Sequence, residues 1–262
     1  MWLEHFTNGV LGKPSSDRSD SIWPGPRVRK AAIRTALLLS ILLLAGNIGY
    51  GLLPRSLQSL IYVPLAAAIA GGLLLWARRR MGFTLASMGL ATETTRTGAT
   101  LGAVFGLSAG VLVLSGLLFL RGVHLSTLLS GDYAINLADP WVRVLVRIPF
   151  GTVLLEEIAF RGVLLKVIRS SGVGILKAII LSSVVFGLWH VGALVPILSN
   201  FSLSGLIGGI GAFAGVPVAF LGGILFAALR IRTGNIAAPM VAHWLVNASA
   251  TFAFVALIAP IG

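Results

Sequence analysis

The stretch Gly151-Thr-Val-Leu-Leu-Glu156-Glu157-Ile-Ala-Phe-Arg161-Gly-Val-Leu-Leu165 sets two adjacent carboxylates and one arginine in a run that is otherwise almost wholly apolar. Such a run reads as a membrane helix. Ionisable residues inside one are expensive to keep in lipid, so they mark function by default. The chain around it has the same character. Of its 262 residues, 56 % are hydrophobic and 11 % charged, with no cysteine. A soluble chain carries about 25 % charged residues, so this one could not coat a water-soluble globule. A disordered chain needs the opposite balance, low hydrophobicity with high charge. The missing cysteines rule out a disulfide framework, a thiolate zinc site and a cysteine nucleophile. These features predict an all-α fold, a polytopic transmembrane helical bundle.

Apolar runs extend from Thr35 to Leu53, Leu57 to Ala77, Gly98 to Leu120, Phe150 to Ile168, Ile175 to Leu194 and Ala237 to Ile258. Each is near the ~20 residues that cross a hydrocarbon core. The stretch from Leu203 to Leu229 is rich in glycine and contains Pro217. It reads as one long helix or two short ones, which makes seven or eight membrane-spanning helices in all. Residues 141–149 carry Arg143, Arg147 and Pro149 and read as an interfacial lead-in to the fourth helix. Residues 1–33 read as a polar, mostly irregular cytoplasmic tail, and residues 34–262 as a single integral-membrane domain.

The net charge of +12 comes largely from clusters at helix ends: Arg27 to Arg34, Arg78 to Arg80, and Lys166 to Lys177. The positive-inside rule turns those clusters into orientation. It puts the N-terminus in the cytoplasm and residues 121–140 outside the cell membrane. No basic soluble domain stands apart from the apolar runs, so no nucleic-acid partner is expected. Gly102, Gly106 and Gly110 recur every four residues and predict close helix packing.

The acids can be placed one by one. Glu4, Asp17, Asp20, Glu93, Asp132 and Asp139 fall in the tail or in polar stretches, which leaves Glu156 and Glu157. Glu157 and Arg161 are i, i+4, about 40° apart on a helix, and can pair. Glu156 points about 140° from Arg161 and has no local counter-charge. In a low dielectric it must gain a proton or find a partner on another helix. His5 and His124 read as surface residues. His190 and His243 lie in apolar helices, and the pairs Phe186/His190 and His243/Asn247 are each i, i+4. Three helices therefore offer a carboxylate, two imidazoles and an amide to a shared interior. A buried glutamate bonded to an imidazole can take a proton from water near neutral pH. A second imidazole and an amide can stabilise the oxyanion of a tetrahedral intermediate. Together they suit peptide-bond hydrolysis without a covalent intermediate.

At these residues the chain resembles the CAAX-protease and bacteriocin-processing (Abi) family of intramembrane glutamic endopeptidases. Glu156, Glu157 and Arg161 match its Glu-Glu-x-x-x-Arg motif, Phe186 and His190 its Phe-x-x-x-His, and His243 and Asn247 its His-x-x-x-Asn. The resemblance covers residues 145–250. It implies that Glu156 and His190 hold and activate the water and that His243 and Asn247 form the oxyanion site. Glu157, Arg161 and Phe186 would support them, with no cofactor and no metal. The implied substrates are membrane-associated or prenylated CAAX-like proteins and peptides, met among membrane lipid. Some members serve in bacteriocin immunity instead, so a non-proteolytic partner-binding role is the alternative.

Three other chemistries fit less well. Gly106-Leu-Ser108-Ala-Gly110 matches a nucleophile elbow, and with His243 it suggests a rhomboid-like serine protease, but the elbow needs a strand-to-helix turn. His190, His243 and Glu156 could hold zinc, yet no His-Glu-x-x-His is present. Glu and His relays also carry protons in transporters, but no paired repeat is evident. Ser108→Ala is expected to leave peptide cleavage unchanged. Complete loss of cleavage would revive the serine reading.

Overall fold

A computed structural model describes residues 25–122, 139–194 and 203–258. The tail with His5, and the loop with His124 and Asp132, lie outside these residues. Among the described residues the protein is all-helical, with no strand. The long helices are α1 (Pro26–Gly51), α2 (Arg55–Met81), α3 (Thr95–Gly122), α4 (residues 140–170), α5 (Ile175–Trp189), α6 (Leu203–Thr233) and α7 (Ala237–Ile258). Among the described residues five helical segments are long and apolar enough to cross a membrane: Pro26–Gly51, Ser56–Met81, Thr95–Gly116, Ile175–Gly192 and Gly215–Thr233. The stretch with Pro217 belongs to one continuous helix, α6.

Local chemistry explains the ends. Pro26 opens α1 at a position where its missing N–H is no loss. The basic stretch that begins at Arg27 is therefore helical, not an irregular tail. Gly82, at φ 68°, closes α2 in the left-handed region, and Arg78, Arg79 and Arg80 occupy its last turn. Cations there complement the negative end of the helix dipole.

Helix α4 departs most from expectation. It begins at Pro140, capped by the Asp139 carboxylate, which accepts from the backbone N–H groups of Trp141 (2.9 Å) and Val142 (3.0 Å). Pro149 is thus an interior residue, not a first-turn one. Over Arg143–Val153 and Glu157–Leu164 the backbone adopts the wider π register. Leu154 N–H reaches the Pro149 carbonyl, an i→i+5 bond. This register accompanies the proline, and the helix carries on through it. π turns are rare and concentrate at functional sites.

Outer helices turn apolar side chains outward, as at Leu37, Leu38 and Ile41 of α1 and Val104, Val111 and Leu112 of α3. Helix α4 does the reverse. From Leu155 to Ile168 every residue except Lys166 is buried. It packs against α1, α2, α5, α6 and α7. Glu156, Glu157 and Arg161 therefore face protein, as ionisable groups inside a membrane usually do.

The glycine stripe sets α3 against α7. A Cβ at Gly102 would run into the Ala238 backbone, one at Gly106 would lie 2.9 Å from the Ala242 Cα, and one at Gly110 would strike Ser249. Asn235 pins the turn before α7, donating to the Ala91 carbonyl and to Thr94 Oγ1 (3.1 Å) and Thr95 Oγ1 (3.2 Å). Gly102→Val is expected to cost about 1–3 kcal/mol, as overpacking does. Gly116→Val, with open space around it, serves as the control in thermal melts of the purified protein. Equal melting of the two variants would show that the stripe does not hold the helices together.

Candidate active site

The two glutamates have different surroundings. Glu157 is fully buried, and its Oε1 accepts from Arg161 Nη1 at 3.0 Å and from His243 Nδ1 at 2.8 Å. The i, i+4 pair expected from spacing is therefore present, with a second partner 86 residues away. Arg161 is held in turn by aromatic faces, its guanidinium carbon 3.9 Å from the Phe186 ring centre and 5.3 Å from that of Phe226. Phe226 also stacks on the His243 ring at 4.8 Å.

Glu156, also buried, has fewer partners. Its Oε1 accepts from the Trp189 indole N–H at 3.0 Å. Its Oε2 is buried, has no hydrogen-bond partner and lies 3.9 Å from His243 Nε2. That gap is too long for a direct hydrogen bond. A carboxylate paired with Arg161 only accepts, so the proton between Glu157 and His243 sits on Nδ1. With that single proton on Nδ1, Nε2 is left as an acceptor 3.9 Å from Glu156 Oε2.

His190 lies just past the end of α5, in a 3₁₀ turn over His190–Leu194. Its Nδ1 is 2.8 Å from the Phe186 carbonyl, which can only accept, so this ring too carries its proton on Nδ1. The Phe186 ring lies 4.9 Å from the His190 ring and 6.2 Å from that of His243. Among the described residues no hydrogen bond joins Glu156 to His190. Asn247 is half-buried one turn beyond His243, and its carbonyl accepts from Thr251. Ser108 is exposed and bonds to the Val104 carbonyl of its own helix at 2.9 Å, with no contact to His243 among the described residues. No group of three or more His, Cys, Asp or Glu side chains placed to hold a metal ion occurs among the described residues.

Residues 138–249 match the family described as type II CAAX prenyl endopeptidase Rce1-like. This stretch resembles an Rce1-like domain. The match begins one residue before the Asp139 cap and ends within α7. The Rce1-like stretch thus holds Glu156, Glu157, Arg161, Phe186, His190, His243 and Asn247 together, along with most of α4 to α7. Together with the five apolar helices, the match supports an integral membrane protein with a domain similar to those of a peptidase family. No curated protein and no solved structure matches the chain.

Two residues of the site escape sequence reasoning. Trp189 stands beside His190, and a buried indole N–H needs an acceptor, so a signal existed. Phe226 lies in an aliphatic, glycine-rich helix where nothing distinguishes it. Removing one member of a buried ion pair strands its partner, at about 3–5 kcal/mol. Arg161→Met in the Rce1-like stretch is accordingly expected to lower the thermal midpoint sharply. Wild-type stability in that variant would show that the hydrogen bond from His243 alone suffices to hold the Glu157 carboxylate.

Proposed function

We propose that the protein is an intramembrane endopeptidase of glutamic type that hydrolyses membrane-associated or prenylated CAAX-like substrates. The observation that carries this reading is the asymmetry between the adjacent glutamates. Each keeps a buried Oε2 without a hydrogen-bond partner, but Glu157 is tied through Oε1 to both Arg161 and His243, whereas Glu156 presents its free Oε2 to His243 Nε2, 3.9 Å away. An acceptor pair of this kind suits a water molecule, whose two protons both need acceptors. Glu156 also borders an apolar cavity of about 180 Å³, lined by Leu42, Leu65, Tyr62, Leu155 and Trp189 among others. Such a lining suits an apolar side chain or a lipid tail.

In this mechanism Glu156 is the general base. As the water oxygen attacks the carbonyl carbon, its proton passes to Glu156 Oε2. His243 Nε2 accepts the hydrogen bond of the second proton. The Asn247 amide donates to the oxyanion. Glu156 then returns its proton to the leaving nitrogen as the C–N bond breaks. The family resemblance gives His190 to the water and His243 to the oxyanion. The Nδ1–H bond to Glu157 and the distance to Glu156 favour His243 beside the water, with His190 as a second holder. The reading puts α4 and α7 in the membrane with the five apolar segments, seven spans in all. It puts the protein in the cell membrane, with its N-terminus cytoplasmic.

The test is cleavage of a membrane-peptide library by wild type and Glu156→Gln, purified in detergent and followed by mass spectrometry. Loss of a general base costs about 10²- to 10⁴-fold, so cleavage by the variant is expected to fall by at least about a hundredfold. Equal cleavage by both would overturn the mechanism. No cleavage by either would favour a partner-binding or immunity role. Activity is expected to survive chelation and metal stripping, and loss that zinc restores would overturn the metal-free chemistry.

A further inference from the structure

Arg161 faces two ways. Its Nη1 serves Glu157, while its Nη2 is buried and has no hydrogen-bond partner, on a residue only 2 % exposed. It lines a second cavity, of about 260 Å³, with Ser87, Lys166, Arg169 and Arg230. Arg230 is the counterpart of Arg161 from another helix. Its side chain is 9 % exposed, its Nε is buried without a partner, and its Nη2 makes only a long contact, 3.4 Å, to the Ser87 carbonyl. The neighbouring turn is shaped around it. Gly89 sits at φ 89°, and a Cβ there would collide with the Arg230 guanidinium. Lys166 reaches the same cavity beside Phe83, its ammonium 5.5 Å from that ring centre.

Four cationic side chains from α4 and α6 thus converge on one cavity whose lining contains no carboxylate. Two carry buried N–H groups that lack an acceptor, and a buried donor left unmet is costly, the more so when charged. An anion would satisfy both. Guanidinium groups approaching from two helices call for oxygens pointing in more than one direction. A carboxylate presents two oxygens in one plane with its carbon, whereas phosphate oxygens point to the corners of a tetrahedron, two of them unesterified in a phospholipid headgroup and all four in inorganic phosphate. Arg169 and Arg230 both lie in basic last turns, at the ends of α4 and α6. Basic pockets between membrane helices on the cytoplasmic side suit phospholipid headgroups.

We propose that this cavity is a phosphate-binding site, filled by the headgroup phosphate of an anionic phospholipid or by free inorganic phosphate. It is separate from the apolar cavity at Glu156 and does not depend on the proteolytic reading. The test uses the full chain in detergent, titrated with phosphatidylglycerol or phosphatidylcholine and followed by native mass spectrometry and thermal melting. Phosphatidylglycerol is expected to bind selectively and to raise the melting temperature. Each arginine near the surface is worth about 1 kcal/mol toward an anionic lipid, so Arg169→Gln should weaken that binding about fivefold. Arg169 is exposed, so this variant keeps the fold, and adding Arg230→Gln should remove the selectivity. Displacement of the lipid by inorganic phosphate would assign the free ion as a sufficient ligand, and resistance to displacement would assign the headgroup. Equal binding of both lipids with no response to phosphate would overturn the proposal, as would unchanged binding by Arg169→Gln. Displacement by a peptide with a free C-terminus, but not by phosphate or by its amidated counterpart, would overturn it too, since the cavity would then read a carboxylate.

Discussion

The Glu157 carboxylate, acceptor of two buried hydrogen bonds, joins α4 to α7. It accepts from Arg161 on its own helix and from His243 on α7. Aromatic rings enclose both partners, with Arg161 over Phe186 and His243 stacked on Phe226. A buried carboxylate and a buried guanidinium each cost several kcal/mol to desolvate, and only mutual pairing with good geometry offsets that cost. The rest of the site follows from it. The bond fixes the His243 tautomer and aims Nε2 at Glu156, while Trp189 holds the other Glu156 oxygen.

The bundle serves this constraint. The stretch of α4 from Leu155 to Leu165 lies inside the protein, so Glu156, Glu157 and Arg161 meet side chains and not lipid. Helix α7 has to approach closely enough to deliver His243, and the bare glycines of α3 let its other face be backed tightly from behind. Gly187 and Gly223 do the same where α5 meets α6: a Cβ at Gly187 would lie 3.1 Å from Phe220, and one at Gly223 would lie 3.0 Å from Ser183. Small residues let membrane helices approach without a hydrophobic driving force between them.

Much of this is legible from spacing alone. The i, i+4 rule finds Glu157 with Arg161, and the four-residue period finds the α3 packing face. Composition finds the membrane. What spacing cannot reach is contact between distant segments. The Glu157–His243 bond spans 86 residues, and no periodicity encodes it. A reading that stops at Arg161 leaves both histidines to Glu156. The start of α4 is hidden for another reason. Pro149 reads as a first-turn proline because an ordinary α-helix would lose a bond there. The π register that accompanies it leaves no trace in hydrophobic pattern. The cationic cavity beside α4 is hidden in plain view: its arginines fit the positive-inside rule, and only their burial sets them apart.

The central claim is that Glu157 sets the state of His243. Nitrogen NMR of ¹⁵N-histidine-labelled protein, with His243 assigned by its substitution, tests it directly. At neutral pH the account requires His243 to carry its proton on Nδ1, and Glu157→Gln to disturb that state. A His243 ring with a bare Nδ1 and a protonated Nε2 in the wild-type protein would contradict it.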